Sequence, residues 1–232
     1  MVGETVSIDA HDGRRFSAYL TKPSGGVGPA VMILNEGFGL TRWTKSIADR
    51  FAARGYLACA PELYWRTHPG LVAEPNDQEN VQIAIEQMTN IDRDLAIEDI
   101  AAAIASIRGM PESSDKLAVA GFGLGGTLAY LAAARLEIDA TAAYYGSDIH
   151  QFVNEGRHLD HPIVFHLADR DETNSESDRK RIFAALIGIP HVSIYSYDAG
   201  HAFTNSDRKN CYDADAAEQA HARTFAVLDT LI

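Results

Sequence analysis

The spacing of apolar and polar residues changes period repeatedly along the chain. Thr5–Ala10 and Arg14–Lys22 are β-rich runs joined through Asp12-Gly13, a dipeptide that suits a type I′ hairpin. Ala30–Leu34 is short and wholly apolar, as a strand buried on both faces should be. Trp43–Arg54 then alternates at helical spacing and stops before Gly55, a good C-cap residue. Tyr56–Ala60 reads as another strand, halted by Pro61, and Glu62–Pro75 reads as a loop because it carries His68-Pro69-Gly70 and Glu74-Pro75. Gln78–Arg108 is helical, with an interruption near Thr89-Asn90, and places Ile97, Ile100, Ile104 and Ile107 on one stripe.

Beyond this helical stretch strands and helices alternate. Lys116–Ala120, Ala140–Tyr145, Ile163–Ala168 and Val192–Tyr197 read as strands; Gly126–Arg135, Ser175–Ile187 and Asp213–Leu231 read as helices. Such alternation predicts an α/β domain, a mostly parallel central sheet with helices on both faces. No repeat or linker divides residues 1–232, so one domain is expected. In sheets of this kind ligands sit beyond the carboxyl ends of strands. The chemistry is therefore expected just after Leu34, Ala120, Ala168 and Tyr197.

Composition narrows the choice of partner. The 232 residues are 46% hydrophobic and 22% charged, with a formal net charge of -12 and no Lys/Arg cluster. That balance argues against nucleic acid or an anionic membrane surface. Leu117–Ala134 holds no charged residue, yet Gly121, Gly123, Gly125 and Gly126 break it into strand, turn and helix. The opening residues lack the basic and apolar regions of a secretory signal, and the two cysteines, Cys59 and Cys211, form no disulfide framework. A cytoplasmic protein is the expectation, and nothing in the pattern demands more than a monomer.

After the strand Lys116–Ala120 the chain reads Gly121-Phe122-Gly123-Leu124-Gly125-Gly126. One reading is a dinucleotide fingerprint through Gly121, Gly123 and Gly126. Its acidic ribose partner would have to be Asp148, which comes late, and more than a hundred residues would precede the first strand. A second reading is a nucleophile elbow, G-x-Nuc-x-G, with Gly123 at the centre. Glycine takes the strained backbone of that centre without a Cβ penalty, and putting glycine there creates the fingerprint by accident. A third is a tight strand–helix turn without chemistry.

The elbow reading requires an acid after a later strand and a histidine after the last one. Ile163–Ala168 is followed by Asp169-Arg170-Asp171-Glu172, where Asp171 is the preferred acid and Asp169 the alternative. Val192–Tyr197 is followed by Asp198-Ala199-Gly200-His201, which places His201 as the base. His158, Asp160 and His161 precede Pro162 and read as surface polar residues, so no metal site is expected.

These segments together resemble the dienelactone hydrolase family of the α/β-hydrolase fold. The resemblance rests on Asn35-Glu36-Gly37-Phe38-Gly39, Ala60-Pro61-Glu62-Leu63-Tyr64, the turn at 121–126, Tyr144-Tyr145-Gly146, Phe165-His166 and Gly200-His201-Ala202-Phe203. It implies a hydrolase of esters or lactones that uses no cofactor. It implies roles for Asp171 as acid, His201 as base and Glu36 as the carboxylate that helps activate the nucleophile. The N–H groups of Leu124 and Gly37 would form the oxyanion hole, and Phe38 and Tyr145 would line the substrate pocket. Two departures stand out. Gly123 occupies the position of the family's cysteine or serine. Asn205 stands where an arginine would hold an anionic lactone, and none is found near Glu79 for the second, which argues against such a substrate.

Loss of the nucleophile from a working triad costs on the order of 10⁶ in rate, and about 10³–10⁴ over water remains. Three expectations follow. In the first, His201 activates a water, with Glu36 sharing that role or attacking directly. In the second, the chain binds a small carbonyl compound without turnover. In the third, Gly123 stands in place of a natural Cys or Ser.

Overall fold

A computed structural model describes residues 3–232. The hairpin β1 (Glu4–Asp9) and β2 (Arg15–Thr21) opens the chain. It is followed by β3 (Gly28–Leu34), α1 (Arg42–Ala53) and β4 (Leu57–Pro61), then by the helices α2 (Gln78–Asn90) and α3 (Arg93–Arg108). The remaining elements are β5 (Ser113–Phe122), α4 (Leu124–Arg135), β6 (Ala140–Tyr144), β7 (Ile163–Arg170), α5 (Glu176–Leu186), β8 (Val192–Gly200) and α6 (Ala214–Leu228). The eight strands form one sheet in the order β1-β2-β4-β3-β5-β6-β7-β8. The β1–β2 and β2–β4 pairs are antiparallel and every later pair is parallel.

Alternation along the central strands divides the core. From β3, Ala30, Met32 and Leu34 point to the layer holding α3 and α4, while Val31 and Ile33 point to the layer holding α1 and α6. Both faces are covered, so the central strands carry almost no polar side chains. No described helix is long and apolar enough to cross a membrane.

The sequence expectations hold in outline and shift at the ends. The hairpin turn differs. Gly13 N–H donates to Ala10 O at 3.0 Å, Ala10 N–H donates to Arg14 O at 2.8 Å, and only Gly13 has positive φ (80°). It is a three-residue loop with glycine in the left-handed position, whereas type I′ needs two consecutive positive φ values. The interruption near Asn90 is real: Ile91 is extended, and the Asp92 side chain caps α3 by accepting from Asp94 N–H and Leu95 N–H. β7 and β8 run on past Ala168 and Tyr197 to Arg170 and Gly200, so Asp171 and His201 directly follow the last strand residues. His161, expected at the surface, is only 7% exposed, with Nε2 3.0 Å from Thr141 Oγ1.

Candidate active site

The turn between β5 and α4 is built by close approach. A Cβ at Gly121 would stand 1.9 Å from Gly125 O, one at Gly125 would stand 2.2 Å from Leu34 O, and one at Gly126 would stand 2.5 Å from Tyr144 O. These contacts account for the glycines at 121, 125 and 126 by packing alone. Asp148, the residue considered for a ribose, pairs with Arg93 instead. Gly123 has φ 54° and ψ -118°, which L side chains rarely adopt. A Cβ built there would lie 3.5 Å from His201 Nε2 and 3.3 Å from Glu36 O. The turn centre and the imidazole are therefore neighbours, although 78 positions separate them in sequence (201 − 123).

His201 Nδ1 lies 3.0 Å from both Oδ1 and Oδ2 of Asp171. The Asp171 side chain is 1% exposed and its carboxylate is fully engaged. Thr173 N–H (2.8 Å), Thr173 Oγ1 (2.7 Å) and Asn174 N–H (3.2 Å) donate to Oδ1, and Asn174 Nδ2 (3.1 Å) donates to Oδ2. Burial alone would raise the pKa. The bond and charge of His201, with the Thr173 and Asn174 bonds, outweigh it and lower the carboxyl pKa to about 2. Asp169, the alternative acid, instead accepts from Ser196 Oγ at 2.8 Å.

Glu36 is buried beside the turn. Its Oε1 accepts from Tyr145 Oη at 3.0 Å and its Oε2 from Asn205 Nδ2 at 2.7 Å. The Tyr145 hydroxyl lies 2.5 Å from Thr204 Oγ1. Because Tyr145 gives its proton to Glu36, Thr204 must donate to Tyr145, and a chain of hydroxyls feeds the carboxylate. Burial raises the Glu36 pKa; the Asn205 bond, the charges of Arg208 and His201 and the Tyr145 bond oppose it.

The cavity above these groups has a volume of about 810 Å³, and a chamber of about 210 Å³ adjoins it. Glu36, Phe38, Arg208 and Asn210 line both; His201, Thr173 and Leu124 line only the larger. Phe38 thus faces the cavities as expected. Tyr145 does not. It has φ 37°, its ring centroid lies 5.1 Å from that of His201, and it is 0% exposed. Asn205 reaches the smaller chamber, but its amide is committed to Glu36.

The two expected oxyanion donors also part company. Leu124 N–H opens α4 and meets no acceptor among the described residues. Gly37 N–H donates to Asn35 Oδ1 at 2.9 Å and is spent inside its own loop. The arginines missing at the positions inspected in sequence reappear elsewhere: Arg93, Arg170 and Arg208 all line the larger cavity. Arg93 pairs with Asp148 and Arg170 with Asp198, whereas Arg208 stacks its guanidinium 5.1 Å from the Phe38 ring and meets no carboxylate among the described residues. The described residues contain no cluster of three or more groups able to hold a metal ion.

The residues that sequence reasoning missed are Thr173, Asn174, Thr204 and Arg208. The run Asp171-Glu172-Thr173-Asn174 is typical of side chains that bond their own backbone, a local signal that was available. Thr204 and Arg208 gave no signal; only the fold brings them to Glu36 and Phe38.

The pattern that defines the Dienelactone hydrolase family matches residues 16–232. This chain belongs to that family. Among curated relatives, the carboxymethylenebutenolidase of a Pseudomonas species is 32% identical over 98% of this chain and 95% of its own length. Carboxymethylenebutenolidase 1 of Cupriavidus pinatubonensis is 31% identical over 100% of this chain and 98% of its own. The solved structure of a putative dienelactone hydrolase from Klebsiella pneumoniae superposes with a TM-score of 0.85 at 23% identity, covering 97% of each chain, and shares the α/β-hydrolase fold. Dienelactone hydrolase family membership thus fixes the architecture in which the turn, acid and base are read.

Proposed function

We propose that this protein hydrolyses an ester or lactone with water as the attacking group, activated by His201 beside Gly123. The observation that carries the reading is the place of His201: Nε2 is 3.5 Å from the Cβ position of residue 123 while Nδ1 faces Asp171. An imidazole held in this way has its basic nitrogen aimed at the spot where a nucleophilic side chain would begin. A water there gives its proton to Nε2 and its oxygen attacks the carbonyl carbon. The oxyanion forms against Leu124 N–H, and the developing charge also meets the positive end of α4. Collapse expels the alkoxide, which recovers the proton from His201.

Family membership and relatives named carboxymethylenebutenolidase support a hydrolase of this bond class. Covalent acyl transfer through residue 123 is chemically excluded, since glycine offers no nucleophile. Glu36 is less suited to attack, because both its oxygens are held by Tyr145 and Asn205.

The test compares the Gly123 protein with Gly123→Cys, Gly123→Ser and His201→Ala on one panel of aryl and alkyl esters and lactones. The water mechanism requires measurable turnover in the Gly123 protein that falls at least about a hundredfold in His201→Ala. Turnover confined to the Cys and Ser proteins overturns it and assigns the site to a lost or replaced nucleophile. Saturable ligand binding without turnover in the Gly123 protein indicates a binding role.

A further inference from the structure

We propose that Thr173 is a positioning residue, which fixes the protonated nitrogen of His201 by accepting from it while bonding Asp171; this rests on the hydrolase reading above. Thr173 Oγ1 is 2.7 Å from Asp171 Oδ1 and 2.9 Å from His201 Nδ1. A hydroxyl has one proton and two lone pairs. An ionised carboxylate offers no proton, so the threonine hydrogen goes to Asp171. The oxygen therefore presents a lone pair to Nδ1.

Three oxygens then converge on one ring nitrogen: two of Asp171 at 3.0 Å and that of Thr173 at 2.9 Å. If Nδ1 carried no hydrogen, four sets of lone pairs would face one another. A proton on Nδ1 satisfies all three oxygens through a shared, multicentre bond. Nε2 is thereby left free of hydrogen in the neutral ring and stays basic toward the Gly123 side.

Thr173 differs in position from the other donors to Asp171. Asn174 is 3% exposed and also ties its amide to Gly146 O at 2.9 Å, so it fixes the carboxylate to the scaffold beneath. Thr173 lies on the open side and lines the large cavity. It closes the ring of acceptors where solvent would otherwise compete for the Nδ1 proton. Serine preserves this chemistry, whereas valine keeps the shape and deletes it.

The experiment uses Thr173→Val and Thr173→Ser in the Gly123 and Gly123→Cys proteins, with two readouts. One is the proton resonance of His201 Nδ1 in protein labelled with nitrogen-15 histidine, which needs no turnover. The other is the separate measurement of kcat and KM on whichever form is active. In Thr173→Val the resonance moves upfield and kcat falls on the order of tenfold with KM nearly constant, the size of one lost hydrogen bond, and Thr173→Ser restores both. An unmoved resonance overturns the assignment, as does an unchanged kcat in an active form. A moved resonance in proteins that show no turnover supports the placement of Thr173 and overturns the hydrolase reading instead.

Discussion

At the scale of single residues, the site is governed by how its carboxylates are held. Asp171 has a folded pKa of about 2 against an ordinary 3.8, because its bonds to His201, Thr173 and Asn174 outweigh the cost of burial. A depressed acid contributes stability above its unfolded value and loses it as pH falls through the folded one. The contribution is about 2 kcal/mol at neutral pH and vanishes between about pH 4 and pH 2. The stability gap between the unmodified protein and Asp171→Asn, measured by urea unfolding, should hold constant from pH 7 to 5 and narrow below pH 4. A gap independent of pH would show that the carboxylate's charge is not what these bonds stabilise. The pairing of Asp171 with His201 was legible in sequence, because each follows a run readable as a strand in the order that the elbow demands. The burial of Tyr145 was not legible: its hydroxyl is held by Glu36 and Thr204, which only the fold brings to it.

At the scale of elements, α6 is fastened to the sheet by buried polar groups as well as by apolar contact. His221 Nδ1 lies 3.2 Å from Tyr144 Oη, and Thr224 Oγ1 lies 2.5 Å from the same hydroxyl and 2.9 Å from His166 Nε2. Burial, aided by the charge of Arg50, lowers the His221 pKa to about 3. Burial and the charges of His221 and Arg223 hold His166 well below its ordinary value too. The sign is the same as for Asp171, at higher pH: the unfolded chain binds protons that the folded chain refuses. For His221 the contribution is therefore greatest above about pH 6.5 and declines toward pH 3, at about 1.4 kcal/mol per pH unit, and His166 acts in the same direction. His221→Gln should reduce the slope of unfolding free energy against pH between 6 and 4 by about one proton's worth. An unaltered slope would remove His221 as its source. The helix itself was readable from its apolar spacing, as were the α2–α3 break and every strand of the parallel region. Their ends were not, since β7 and β8 are prolonged by pairing with each other rather than by any run of apolar residues.

At the scale of the whole molecule, a mostly parallel sheet followed from alternating strands and helices, but the reversal that seats β4 between β2 and β3 did not. Nor did the convergence of three arginines on one cavity, because they come from α3, the end of β7 and the loop before α6. Arg208 alone has no carboxylate partner among the described residues, so it is the cation available to a bound anion. Arg208→Gln should raise KM for an ester bearing a carboxylate about tenfold and leave a neutral ester of equal size within about twofold. Equal effects on both esters would assign the residue to packing against Phe38.

The parts of the site come from distant stretches of chain. Glu36 and Leu124 stand at the ends of the central strands β3 and β5, while Asp171 and His201 ride on β7 and β8, the last two strands at one margin of the sheet. β8, at the edge, is paired on one side only, and a strand so placed opens more readily than one enclosed on both. Transient fraying of β8 at its carboxyl end would carry His201 away from an intact central turn. On the hydrolase reading, turnover should accordingly fade during gentle heating before circular dichroism registers any loss of structure, so that inactivation and melting trace separate curves.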